Sequence, residues 1–179
     1  MIVRDADDKD IRQIVEIYDH YIATSHATFE IDPITASEMR RRMVEGADRG
    51  YPFLVADLEE EICGYAYAGK FKSRPAYKNT AEVSVYMRKG EGGKGIATRL
   101  YEELISRLES MEGLHTVISG ISLPNEPSVR LHEKFGFRKV AHLHEVGRKF
   151  DRWIDVGYWH LILPVGERAR STQRMIDQI

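Results

Sequence analysis

TAEVSVYMRKGEGGKGIATRLYEELISRLESME, residues 80–112, joins an apolar strand-like run to a glycine-dense loop and then to a leucine-striped helix. That order builds an anion cradle. A helix start leaves backbone N–H groups without intrahelical partners and carries the positive end of the macrodipole, so phosphate oxygens bind there without basic side chains. Gly90, Gly92, Gly93 and Gly95 remove the Cβ atoms that would hold a ligand away, and they permit positive φ where the loop turns into the helix.

From the loop alone three readings are open. Gly90, Gly92 and Gly95 satisfy G-x-G-x-x-G, the dinucleotide fingerprint of an NAD-dependent dehydrogenase. Such a fold places its glycines immediately after the first strand and ends the second strand in an acid for the ribose, whereas here the next strand closes on Ser119, Gly120 and Ser122. A Walker loop needs lysine after its last glycine, and Ile96 stands there. A plain glycine-rich surface turn is the third reading.

Outward from this segment the chain alternates strands and helices, with no repeat or internal linker. Residues 1–5 read as a short strand. Ile11, Ile14, Val15, Tyr18 and Ile22 recur at helical spacing behind acidic residues, which predicts a helix over 8–24. Thr35 with Glu38 forms a capping-box pattern for a second helix ending near Gly46–Gly50. PFLVAD (52–57) and EICGYAYAG (61–69) flank an acidic turn as a hairpin. After the helix striped by Ile96, Leu100, Leu104, Leu108 and Met111 come a buried strand over 114–121, a short helix from Asn125, and two terminal strands over 137–146 and 152–162. Residues 1–163 thus read as one domain, and polar residues 164–179 as a loose or partner-bound tail.

Composition narrows the function. A chain of 179 residues suits one domain with a real core, and a net charge of −2 supplies no bulk attraction for nucleic acid or anionic membrane. The lone Cys63 cannot pair within the chain, and the aspartate-rich start with no long apolar run predicts neither signal peptide nor membrane span. Together these point to a reducing cytoplasm.

ISLPNEPSVRLHEKFGF, residues 121–137, decides among the loop readings. Asn125 is placed to cap a helix whose first turn holds Glu126 and Pro127, and Gly136 supplies a left-handed C-terminal residue. Strand, glycine loop, helix, strand and an Asn-initiated helix ending in Gly-Phe resemble the GNAT superfamily of acyl-CoA-dependent N-acetyltransferases. GGKGIA looks like its pyrophosphate motif, with Gly92 standing where Gln or Arg is usual. YAGKFKSRPAYKNTAEVSVYM and GRKFDRWIDVGYWHL narrow the match to phosphinothricin or methionine sulfoximine N-acetyltransferases, over nearly all of residues 1–163. Most of the superfamily carries tyrosine seven residues after the helix-starting asparagine; here that position is His132, as in the phosphinothricin group. The resemblance implies an α/β (α+β) fold with a central mixed, mostly antiparallel sheet of about seven strands and about four flanking helices. It also implies acetyl-CoA as co-substrate, a small amino acid as acceptor, no metal, and a homodimer.

The chemistry can be rebuilt from the residues. An α-ammonium cannot attack a thioester, and freeing the amine costs about 2.7 kcal/mol if its pKa lies about two units above the ambient pH. Alternation along TAEVSVYM puts Ala81, Val83, Val85 and Met87 on a packed face and Glu82, Ser84 and Tyr86 on a wet one. A carboxylate in a central strand needs a reason to be there, and we assign Glu82 as general base, directly or through water. His132 shares a helical stripe with Ser128, Leu131 and Phe135, the setting of an ordinary core histidine. The resemblance implies instead an active-site role as second base, proton relay or substrate contact. Acetyl-CoA is expected along Val85, Tyr86 and Met87, with its pyrophosphate on Gly93, Lys94, Gly95, Ile96, Ala97 and Thr98 and with Asn125 completing the cradle. Lys72, Arg74 and Tyr77 match the family's substrate loop, and Phe29 and Tyr101 match further pocket positions. His142 and His144 share a strand face, but two ligands without a third do not make a metal site. A catalytically silent acyl-CoA-binding module is the remaining alternative to an enzyme.

Overall fold

The computed structural model describes residues 1–164, so the expected polar tail lies, but for Pro164, outside the described residues. Strands β1 (Ile2–Asp5), β2 (Phe53–Leu58), β3 (Glu61–Lys70), β4 (Thr80–Met87), β5 (Thr116–Leu123), β6 (Arg138–Lys149) and β7 (Arg152–Ile162) form one sheet in the order β1-β2-β3-β4-β5-β7-β6. Four helices flank it: α1 (Ile11–Thr24), α2 (Ala36–Ala47), α3 (Ile96–Ser110) and α4 (Glu126–Lys134). Every neighbouring pair is antiparallel except β4 and β5.

Two cores cover the two faces. On one, the Leu100, Leu104 and Leu108 stripe of α3 packs on Ala66, Ala68, Ala81, Val83 and Val117. Each such leucine stabilises the fold by roughly 1.5–3 kcal/mol. On the other, Ile14, Ile17, Tyr18 and Ile22 of α1 pack on Val55, Ile62, Tyr65 and Tyr86. The expected wet face of β4 is therefore wet only at Glu82 and Ser84. Tyr86 is buried, with its ring 5.0 Å from Tyr18 and 5.2 Å from Tyr21 in edge contacts. A bulge lets β3 serve both cores: Ala56 pairs with Gly64 and Asp57 with Ile62, so the intervening Cys63 is an extra residue that swaps the faces.

Element ends differ from the periodicity where side chains intervene. The first helix begins at Ile11 because Asp7 and Asp10 close a capping box around a 3₁₀ turn (Asp8–Asp10). Asp10, buried, also accepts from Arg4 Nη1 at 2.6 Å. At α2 only half of the expected box forms: Thr35 accepts from Glu38 N–H, while the Glu38 carboxylate turns to Arg41 and Arg42. The strand β6 runs three residues past its expected end because a bulge opposite Asp155 absorbs additional chain.

Candidate active site

β4 and β5 pair at Thr80–Thr116, Ala81–Val117 and Glu82–Ile118, and then they part. Beyond that point β4 stays on β3 and β5 stays on β7. Arg88 N–H donates to the Cys63 carbonyl, so alternation commits Glu82, Ser84 and Tyr86 to β3 and turns the Val83 carbonyl and the backbone groups of Val85 and Met87 into the gap. Leu163 N–H donates to the His115 carbonyl, and the same alternation turns Gly120 and Ser122 inward from the opposite edge. Met87 N–H reaches the Tyr21 hydroxyl at 3.3 Å. A cavity of about 160 Å³ occupies the gap, lined by Val85, Ala97, Gly120, Ser122, Asn125 and His132 among others. All three strand residues expected to hold a ligand arm line the cavity, with the backbone of Tyr86 committed to β3 and its ring to the second core.

Helix α3 opens on this gap without a side-chain cap. Gly95 is its N-cap with φ 80°, and the first helical bond is Arg99 N–H to the Gly95 carbonyl at 3.2 Å. The N–H groups of Ile96, Ala97 and Thr98 thus have no helical acceptor. A Cβ built at Gly90, Gly92, Gly93 or Gly95 would meet no atom within 4 Å, so open space lies before the loop. Lys94 leans on Glu91 at 2.7 Å. At the adjacent helix, Asn125 Oδ1 caps Ser128 N–H at 3.3 Å and leaves its Nδ2 uncommitted among the described residues. The donor-rich helix start and open strand edge fit a pyrophosphate with an extended amide arm.

Glu82 sits where the strands separate. Burial pushes its carboxyl above the ordinary glutamate value, and the charge of Lys72 acts in the opposite direction. Among the described residues no side chain hydrogen-bonds or ion-pairs its carboxylate; Glu82 does not itself line the cavity, but a Cβ on Gly120, which does, would stand 3.5 Å from Glu82 Oε1. A carboxylate so placed is a better base than an exposed one and has room for a proton donor.

His132 is 2% exposed. Its Nδ1 is 2.7 Å from the Ser128 carbonyl, which can only accept, so Nδ1 carries the proton and Nε2 accepts from the Tyr101 hydroxyl at 2.8 Å. Burial pulls its pKa down to about 4, with the Ser128 bond opposing. Tyr101 is fully buried behind it in the core, and it does not line the cavity where a substrate contact was expected.

In the loop before β4, Lys72 Nζ lies 4.9 Å from the centre of Phe71 and 5.5 Å from that of Tyr77. Arg74 is exposed at the N-cap of a 3₁₀ turn, Pro75–Tyr77. Phe29 lies over Gly147, where any Cβ would meet its ring within 3 Å. Neither Arg74 nor Phe29 lines the cavity. Sequence reading missed Tyr21, Ser122 and His26, whose Nδ1 is 3.2 Å from Ser122 Oγ. A glycine inside β5 was the one available signal of a crowded spot beside Glu82.

Parted strands leading to an uncapped helix define the class of site, an open strand edge beside free helix-start N–H groups in the middle of a sheet. Residues 3–157 match the model for the acetyltransferase (GNAT) domain. The chain is 40% identical over 160 residues to a phosphinothricin N-acetyltransferase of Streptomyces coelicolor, covering 88% of this chain and 93% of that one. It is 33% identical over 162 residues to an L-methionine sulfoximine/L-methionine sulfone acetyltransferase of Pseudomonas paraeruginosa, covering 90% and 94%. The crystal structure of a GNAT superfamily phosphinothricin acetyltransferase from Sinorhizobium meliloti in complex with acetyl-CoA superposes with a TM-score of 0.88 at 33% identity, covering 93% and 90%. The chain belongs to the GNAT acetyltransferase family. Membership overturns the dinucleotide reading of Gly90, Gly92 and Gly95. No helix among the described residues is long and apolar enough to cross a membrane.

Proposed function

We propose that the chain transfers acetyl from acetyl-CoA to the α-amine of a small amino acid with a tetrahedral oxidised head, phosphinothricin or methionine sulfoximine or sulfone. The observation that carries this reading is the parting of β4 and β5 immediately beyond Glu82, with the uncapped start of α3 beside the same cavity. Acetyl-CoA supplies the activated acyl group. Val85 and Met87 would pair with its amide arm, the N–H groups from Gly93 to Thr98 with its pyrophosphate, and Asn125 with its remainder.

Glu82 takes the proton of the substrate ammonium, directly or through water, and the inward N–H groups of β4 stabilise the oxyanion that forms as the amine adds. With both ring nitrogens engaged, His132 suits a relay or positioning role through Tyr101 better than that of a second base or substrate contact. Lys72, Arg74 and Tyr77 would meet the substrate carboxylate and oxidised head, with Arg74 swinging in from solvent and Phe29 closing the far side. The similarity to the phosphinothricin and methionine sulfoximine enzymes supports this substrate class. A cytoplasmic homodimer built from one acetyltransferase domain per chain is the assembly we propose on the same ground.

Free-thiol release with acetyl-CoA and a panel of amino acids tests the reading. Turnover confined to phosphinothricin, methionine sulfoximine and methionine sulfone is expected. Tight acetyl-CoA binding without turnover on any amine would establish the silent module instead.

A further inference from the structure

We propose that His142, His144 and Asp155 form a site for a divalent transition-metal ion, Zn²⁺ foremost, on the β6–β7 hairpin and apart from the acetyl-transfer cavity. The hairpin's irregularity creates it. Leu143 pairs with Val156 and Gly147 with Ile154, so three residues of β6 stand opposite Asp155 alone. Asp155 Oδ1 accepts from Glu145 N–H at 2.9 Å, with Glu145 held at φ 53°. That bond fixes the carboxylate and leaves Oδ2 pointing between two imidazoles.

His142 Nε2 lies 2.6 Å and His144 Nδ1 3.1 Å from this single oxygen. The rings stack with centres 4.3 Å apart, and one ligand atom from each of the three residues lies within 4.8 Å of the others. Tetrahedral zinc with bonds of about 2.0–2.1 Å holds its ligand atoms about 3.4 Å apart, so small side-chain rotations close the set. Two imidazoles and one carboxylate suit zinc, nickel or copper and leave a fourth position for water. The backbone anchor on Oδ1 is the kind of outer bond that orients a ligating carboxylate. The apposition was invisible in the spacing of the two histidines because the third ligand comes from the partner strand.

Lys139 sets the opposing term. Its Nζ is 3.2 Å from His142 Nδ1 and donates to it, which places the ring proton on Nε2, the atom a metal needs. Binding an ion moves that proton to Nδ1 and dismisses the lysine, which already lies 5.4 Å from the centre of the Trp159 ring. Lys139 therefore works against the metal.

The test is a calorimetric titration of Zn²⁺ into the chelator-treated full chain without acetyl-CoA or amine, with Co²⁺ absorption as a second readout. One equivalent is expected to bind. Substituting His142→Ala or His144→Ala should weaken binding at least tenfold, and Lys139→Gln should tighten it by about tenfold, the scale of outer-sphere effects. Asp155→Asn, which keeps an acceptor for Glu145 N–H and so keeps the bulge, should also weaken binding. Absence of saturable binding, or equal binding by the His142→Ala/His144→Ala double variant, would overturn the site.

Discussion

Gly120 and Glu82 face each other at the fork of the sheet: a Cβ on Gly120 would stand 3.5 Å from Glu82 Oε1 and 3.3 Å from Tyr158 Cε1. The first distance is ordinary contact; the second is tight. Alanine in place of a glycine already held in an extended strand gains roughly 0.4–1 kcal/mol from the unfolded chain, which offsets mild crowding. Gly120→Ala should therefore leave the melting temperature within a few degrees while lowering kcat, and Gly120→Val should lower both. Thermal denaturation beside steady-state rates checks this; unchanged kcat in Gly120→Val would show that Glu82 needs no such clearance.

Glu82→Gln removes the carboxylate proposed as base and retains the shape. Turnover at neutral pH should fall by about 10²- to 10⁴-fold, with acetyl-CoA affinity kept. Because burial raises the carboxyl's pKa, the acid limb of kcat/KM in the wild type should lie above the ordinary glutamate value and be missing in the variant. A retained acid limb would assign that titration to another group.

At the helix start, Gly95→Ala forces a non-glycine residue to φ 80° at a cost of roughly 1–2 kcal/mol. The strain should appear as a higher KM for acetyl-CoA with little change in the amine's KM. Gly92 lacks positive φ and has open space around it, so Gly92→Arg, which restores the side chain usual in the superfamily, should lower that KM instead.

His132 predicts a pH effect on stability. Its folded pKa, about 4, lies below the unfolded value near 6.5, so between these limits the unfolded chain binds the additional proton. Stability is full above about pH 6.5 and falls by up to about 3 kcal/mol as pH drops towards 4. Urea denaturation at pH 7 and pH 4.5 should show a smaller loss in His132→Gln than in wild type; equal losses would mean that the ring is not buried neutral.

Arg74 is exposed and its guanidinium is unpaired among the described residues. Arg74→Ala should raise the amino acid's KM and spare kcat. An unchanged KM would leave Arg74 as a solvated loop residue.

The chain advertised its glycine loop and the Asn125 cap because both are local: caps and turns are written in adjacent residues. What stayed hidden is what strands and helices bring together from afar. The Tyr101–His132 bond spans 31 positions and joins two helices, so period counting placed His132 on a plausible face and the resemblance placed Tyr101 in the pocket without either showing that they meet. Tyr86 was assigned to a wet face because alternation reports sidedness and not which helix covers that side. Asp155 met the two histidines only through a bulge that no spacing rule announces.

The parting of β4 and β5 inverts the usual rule that a sheet's middle is its most protected backbone. The amide of Val85 lies in a central strand yet has no strand partner, so in the free protein it should exchange with solvent deuterium far faster than Tyr86 beside it. An acyl-CoA arm laid along that edge would slow that position selectively, turning one backbone amide into a gauge of the gap's occupancy.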